Sequence, residues 1–363
     1  MNNNLRIIRP IPVAGAKCRC VNLRLVLLSL VALATSLASA APGYANGLVI
    51  VPTFDTSIIG NANAAEIEAG INNAIGIYES LYADPITVPI LFRYSTTGPN
   101  GSALPGGTLA QSNYTLYAES WNTYMTALIA DGTTANDLMA KPFLPVSPLA
   151  TNIDPSSADG RAVGLNTPPV MFANGSVGAG GTFDGIVTLN SGQPIQFSRG
   201  GGIDPNHFDE QRLVEHEIDE VLGLGSILPS LTDFTNHSAY RPQDLFRYSS
   251  PGTRSLSASG SATSYFSING GITSIVGFNQ NPNGDYGDWL SPNCPQSPEL
   301  VQYAFTCPGG TADISATSPE GVNLDVIGYD LTSSPAVPEP STLLLLGTGL
   351  AAILGSARRK WLG

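Results

Sequence analysis

The segment His216-Glu217-Ile218-Asp219-Glu220-Val221-Leu222-Gly223 carries the strongest chemical signal in the chain. On an α-helix each residue turns by about 100°, so with His216 at zero Glu220 lies at about 40°, one turn along the same face. Val214, Ile218, Val221 and Leu222 centre near about 190°, on the opposite side. One face is built for a core, while the other presents an imidazole beside a carboxylate. Such an i, i+4 pair can grip one metal ion. Glu217 sits a quarter turn away, where a carboxylate can serve as general base toward metal-activated water. A third ligand is expected downstream: Asp244 first, within D-L-F-R-Y-S, with His237 in the polar Asn236-His237-Ser238 loop as the alternative. His207, at the helix start, reads as a surface or capping residue.

Other chemistry is weaker. Arg247 and Tyr248 are candidates to stabilise a peptide oxyanion, against a plain Arg–carboxylate pair. Asp285 and Asp288, in N-P-N-G-D-Y-G-D-W, have a calcium-loop composition but lack the closing glutamate of an EF-hand, and read as a turn stiffened by glycine. Neither G-x-S-x-G nor a phosphate-binding loop is present. The helix also has a bland reading. Asp209, Glu210, Glu215, Glu217, Asp219 and Glu220 are six acids in twelve residues, and a charged face opposite an apolar stripe is usually a solvated surface.

The H-E-I-D-E segment resembles the zincin motif H-E-x-x-H, with Glu220 in the place of the second histidine. In the longer metzincin pattern Gly223 matches the glycine that ends the helix, but Ser226 falls on the third ligand position. One histidine with carboxylates is a harder, more negative set, so zinc is joined by calcium and manganese as expected ions. The order H-E-I-D-E-V-L-G, D-L-F-R-Y-S, Y-F-S-I-N-G-G (Tyr265 to Gly271), G-D-Y-G-D-W (Gly284 to Trp289) and L-D-V-I-G-Y (Leu324 to Tyr329) resembles a metalloprotease family that carries PEP-CTERM tails. That resemblance covers about 205 to 330 well and the earlier half loosely. It implies an α+β, zincin-like (metzincin-like) mixed sheet with an active-site helix, followed by a β- and loop-rich C-terminal subdomain. It also implies an edge strand able to bind extended peptide.

The elements that must position these residues follow from periodicity. Leu48 to Pro52 reads as a first strand, and Ala64 to Tyr82 as a helix with Ile67, Ile71, Ile75 and Leu81 near helical spacing. Ile86 to Tyr94 reads as a strand whose proline suggests an edge. Tyr114 to Ala130 reads as a second helix with an aromatic face, and Gly181 to Leu189 as the candidate peptide-binding edge strand. His207 to Gly223 is the third helix. Ser264 to Ile268, a Gly270-Gly271 turn and Ile275 to Phe278 read as a hairpin. Leu324 to Asp330 closes the domain.

The two ends read as export signals. Arg6, Arg9, Lys17, Arg19 and Arg24 precede the apolar run Leu25 to Leu37, which closes on Ala38-Ser39-Ala40, a signal peptidase site. At the other end Pro338-Glu339-Pro340 precedes the apolar stretch Leu343 to Gly355 and the cluster Arg358, Arg359, Lys360. That thirteen-residue stretch is shorter than the ~20 of a spanning helix, and the basic cluster suits the cytoplasmic side. This end resembles the PEP-CTERM tail. The resemblance implies processing by an exosortase, a Gram-negative host that makes exopolysaccharide, and a membrane attachment made only through the tail.

The expected organisation is a signal peptide at 1–40, a metalloprotease domain at 41–335 and a sorting signal at 336–363. The domain is expected as 41–225, including the active-site helix 207–223, and 226–335. The span 41–335 holds eight basic and 27 acidic residues, a net charge of −19. Nucleic acid and anionic membrane surfaces are poor partners for that charge. Cys18 and Cys20 lie in the signal. Cys294 and Cys307 are expected to pair, in a compartment that permits disulfides. Two functions remain open: a zinc-dependent peptidase acting on protein or peptide substrates, and a non-catalytic extracellular matrix or surface protein on the same fold.

Overall fold

The computed structural model describes residues 47–228 and 238–332. The described residues form one compact unit. The signal segment, His237 and the Pro338-Glu339-Pro340 motif lie outside the described residues.

The architecture is mixed α+β, with several small sheets. Strand β1 (Val49–Phe54) leads through a short helix α1 (Thr56–Ile59) into the long helix α2 (Ala64–Leu81), and then to β2 (Thr87–Tyr94). After β3 (Ala110–Tyr114) come β4 (Glu119–Ser120), helices α3 (Trp121–Asp131) and α4 (Ala135–Ala140), β5 (Asn152–Ile153) and α5 (Ser157–Ala162). The main sheet gains β6 (Gly185–Leu189); the small pair β7 (Ile195–Gln196) and β8 (Phe208–Asp209) then delivers the chain to helix α6 (Glu210–Leu222). The strand order is β1-β2-β6-β3. β1, β2 and β6 run parallel, while β3 runs antiparallel to β6.

Two expectations about edges are corrected here. β6 is an interior strand, paired on both sides, and β3 is the edge. The sequence G-I-V-T-L is buried at all five positions, as a strand covered on both faces requires. A-Q-S-N-Y in β3 is half-buried throughout. β2 is interior too, despite Pro89. The Pro89 carbonyl accepts from Asp184 N (2.9 Å) on the β6 side. The missing N–H of Pro89 faces the same way, just ahead of the first β2–β6 pair, Ile90 with Gly185.

Helix α6 packs beneath β3 and β6 and lies against α2. Glycine makes both approaches: a Cβ on Gly185 would stand 2.5 Å from Val221 Cγ2, and one on Gly70 would stand 2.2 Å from Glu210 Oε2. Asp209 caps the start of α6 by accepting from Arg212 N, and Gly223, at φ 144°, ends it. The second predicted helix starts later than expected. Tyr114 belongs to β3, and the helix begins at Trp121, where the Ser120 hydroxyl accepts from Thr123 N.

Beyond α6 the chain is short-stranded. β9 (Ala239–Tyr240) pairs with β5. β10 (Arg247–Ser250), β11 (Thr253–Arg254), β12 (Tyr265–Phe266) and β13 (Val276–Gly277) form a four-stranded sheet in the order β11-β10-β12-β13. β12 and β13 are the expected hairpin. Cys294 and Cys307 form a disulfide, with Cα atoms 5.8 Å apart. Helix α7 (Pro319–Ile327) precedes the closing segment, in which Thr332 N donates to Leu81 O (2.7 Å) and Tyr329 Oη to Leu222 O (2.7 Å).

Candidate metal centre

The acids of α6 are not a solvated face. Asp209, Glu210, Glu215, Glu217 and Asp219 are buried. Several have distant partners: Tyr78 Oη donates to Asp219 Oδ1 (2.7 Å), and Ile314 N donates to Glu215 Oε2 (2.8 Å). Helix α6 therefore runs through the interior, with its apolar stripe in the core and its acids buried beside it. Its remaining side carries His216 and Glu220 into a cleft of about 950 Å³.

In that cleft His216, Glu220 and Asp288 offer donor atoms that all lie within 4.8 Å of one another. His216 Nε2 stands 3.8 Å from Glu220 Oε1 and 3.7 Å from Asp288 Oδ1. Two donors each about 2.1 Å from one ion at a tetrahedral angle would be roughly 3.4 Å apart. The longer bonds of oxygen-preferring ions widen that spacing. The three side chains therefore fit a single divalent ion. Their side-chain exposures of 16%, 14% and 6% leave the donors reachable from the cleft while screening them from bulk water.

The environment sets each donor's state. His216 Nδ1 lies 3.2 Å from the Val301 carbonyl. A proton on Nδ1 satisfies that carbonyl and leaves the Nε2 lone pair facing the acids. Burial, helped by the nearby Arg212 charge, pushes the imidazole down to about 4, so it is neutral at neutral pH. Glu220 is pushed up to about 8 by burial and then by Asp285, against the Ser112 hydroxyl that donates to its Oε2. Asp288 is held well above the usual carboxylate range by burial, then by Asp285 and Glu220. Glu217, buried in the same cleft, is also raised, by burial and then by Glu220, while the Ser112 amide opposes the shift. Acids crowded without a counter-ion hold protons that a cation would displace.

The other predicted residues are placed elsewhere. Asp244 is buried away from His216; it accepts from Ser226 Oγ (2.6 Å), Ile227 N (3.3 Å) and Arg241 N (3.0 Å), tying the turn after α6 to the 3₁₀ segment Pro242–Phe246. Ser226, the weak third position of the longer motif, is thus an Asp244 partner. Arg247 is buried, donates to Gln280 Oε1 (2.8 Å) and lies 4.0 Å over the Phe278 ring. Tyr248 is buried, with the Arg254 guanidinium 4.9 Å over its ring. His207 stands 3.3 Å from Asp204 in the loop before α6.

Asp288 and Ser112 are the residues the sequence reading missed as site members. In the sequence Asp288 shares a calcium-loop composition with Asp285 and reads as a turn stiffened by glycine. A usable signal was the unpaired donor count on α6: one histidine and one glutamate call for a third ligand, and the acidic turn was the other carboxylate-rich candidate. The polar stretch A-Q-S-N-Y likewise marked the edge strand that brings Ser112 over the helix.

A family model, the PEP-CTERM protein-sorting motif, matches residues 336–360. No curated protein and no solved structure matches the chain. The motif marks an exported, surface-sorted protein of the cell envelope and implies recognition by exosortase. Among the described residues no helix is long and apolar enough to cross a membrane.

Proposed function

We propose that this exported protein is a metal-dependent peptidase on a zincin-like fold. The observation that carries the reading is the meeting of His216, Glu220 and Asp288 in a cleft walled by edge strand β3, with Glu217 beside them. A divalent ion held by the three donors would polarise a peptide carbonyl and acidify water next to it. Zinc accepts one nitrogen and two carboxylate oxygens, and the oxygen-rich set also suits manganese and calcium.

The chain's own residues do the rest. An extended peptide adds to the rim of β3 through backbone hydrogen bonds and so lies across the donors. Glu217 takes the proton from the attacking water and returns it to the leaving amine. Ser112 and the Val301 carbonyl hold Glu220 and His216 in register. Val301, Tyr303 and Phe305 wall the cleft and limit water around the peptide.

The test is Glu217→Gln in the full chain, assayed on unfolded protein substrates with metal content measured in parallel. The expected result is loss of cleavage by about 10²-fold or more, the contribution of a positioned base, with metal content unchanged. Equal cleavage in both proteins would remove Glu217 as the base, and none in the wild type with metal bound would favour a non-catalytic surface protein instead.

A further inference from the structure

Gln302 stands beside the three donors, on the segment spanned by the Cys294–Cys307 bridge. Its amide nitrogen lies 2.9 Å from Asp288 Oδ1 and 3.3 Å from His216 Nε2. Those two atoms are themselves corners of the donor triad, 3.7 Å apart. An NH₂ group donating to both lone pairs takes the electrostatic place of a cation. Its companion oxygen, Oε1, is buried and has no hydrogen-bond partner among the described residues. Leaving a buried acceptor unmade costs about 1–3 kcal/mol, so this orientation is useful only while the donors need hydrogen bonds.

The amide oxygen and nitrogen have nearly the same size, and a half-turn about the last side-chain bond exchanges them within the same space. After that turn Oε1 faces His216 Nε2 and Asp288 Oδ1, lone pair against lone pair. The arrangement is repulsive unless a cation lies between them. The backbone stays fixed meanwhile. Gln302 N donates to Glu320 Oε1 (3.0 Å), which also accepts from Trp289 Nε1 (2.9 Å), and Gln302 O accepts from Trp289 N (2.8 Å).

We propose that Gln302 is a fourth donor: its amide turns over when a divalent cation enters, and Oε1 joins His216, Glu220 and Asp288. This rests on the reading of those three residues as an ion site. One nitrogen and three oxygens make a hard donor set, which shifts preference from zinc toward manganese. The same amide then explains how an acid-rich pocket keeps its shape when empty.

The experiment is Mn²⁺ titration by calorimetry of the full chain as wild type, Gln302→Leu, Gln302→Glu and His216→Ala. Gln302→Leu is expected to weaken Mn²⁺ binding by at least about tenfold, and Gln302→Glu to retain or tighten it. Mn²⁺ bound by Gln302→Leu as tightly as by the wild type, or more tightly, would overturn the fourth donor while leaving the triad standing. No Mn²⁺ binding by the wild type, or binding that survives His216→Ala, would instead sink the ion site itself. If Gln302→Leu does not fold, a Mn²⁺-loaded crystal of the wild type decides. Gln302 Oε1 at about 2.2 Å from the ion, between magnesium and calcium distances, supports the proposal, and an amide outside the coordination sphere refutes it.

Discussion

Around His216, Glu217, Glu220, Asp285 and Asp288 crowd into the cleft; where residues 81–84 meet residues 330–332, Asp84, Asp131, Asp137, Asp325 and Asp330 form a second group of acids that raise one another's proton affinity. In the second group four of the five acids are held by fixed donors. Asp84 Oδ2 accepts from Asp330 N, Asp325 Oδ2 from Thr134 Oγ1 and Asn136 Nδ2, Asp137 Oδ2 from the Thr134 amide and hydroxyl, and Asp330 Oδ1 from Thr133 Oγ1. In the first group, among the described residues, Glu220 accepts from one serine hydroxyl and Asp288 from one side-chain amide, and a neutral imidazole points its lone pair between them. The number of acids does not distinguish a site from a structural cluster. The difference lies in whether the chain supplies the hydrogen-bond donors or leaves them to be supplied from outside.

The sharpest way to break this comparison is to remove the imidazole. His216→Ala should weaken divalent-ion binding by more than about a hundredfold, beyond the roughly 10–100-fold typical of outer-shell partners. Elemental analysis of protein purified without chelator or nickel reads it directly. Asp288→Asn should lose at least about tenfold in affinity and keep its fold. Asp244→Asn should do the opposite. It weakens bonds to Ser226 and Arg241, lowering stability by about 1–3 kcal/mol in urea melts, with ion affinity unchanged. Ion loss in Asp244→Asn with full affinity in Asp288→Asn would make Asp244 the third ligand. Ser112→Ala, which frees one oxygen of Glu220, should cost about tenfold.

How far the sequence reaches follows from locality. His216 and Glu220 share a face because i, i+4 spacing says so, and the helix ends at Gly223 as its glycine suggests. The Cys294–Cys307 pair and the β12–β13 hairpin are also local. Asp288 was hidden because it reaches the helix only through the packing of the C-terminal segment. Alternation in Gly181 to Leu189 suggests an edge, but burial on both faces makes β6 interior and leaves the edge to β3. G-I-V-T-L is apolar enough to be covered twice, and A-Q-S-N-Y is not. The acids of α6 looked solvated because their partners, Tyr78 among them, sit far away in sequence.

Smaller effects should separate the two groups by pH. Binding stabilises the folded chain by about 2.7 kcal/mol at a hundredfold excess of ion over Kd. For the cleft this gain should grow from pH 6 to pH 8, because Glu220, raised to about 8, must give up its proton to bind. A Mn²⁺-induced rise in Tm that shrinks over that interval would count against a carboxylate site.

The structural group should show the reverse slope without any ion. Asp84 is pushed up to about 8, chiefly by burial, from an ordinary value of 3.8. A carboxyl raised on folding favours the folded state when protonated. Its contribution is complete below about 3.8 and is lost as pH rises through about 8. Asp131, raised to about 7 by burial and then by Asp330, adds to the same loss. With chelator present, Tm should therefore fall between pH 5 and pH 8, and Asp84→Asn should make that fall shallower, because the amide can still accept from Asp330 N and has no proton to lose. The variant should leave Mn²⁺ affinity where it was. An unchanged Tm slope in Asp84→Asn would mean that the closing segment opens before Asp84 titrates, and a change in Mn²⁺ affinity would mean that the two groups of acids are energetically one.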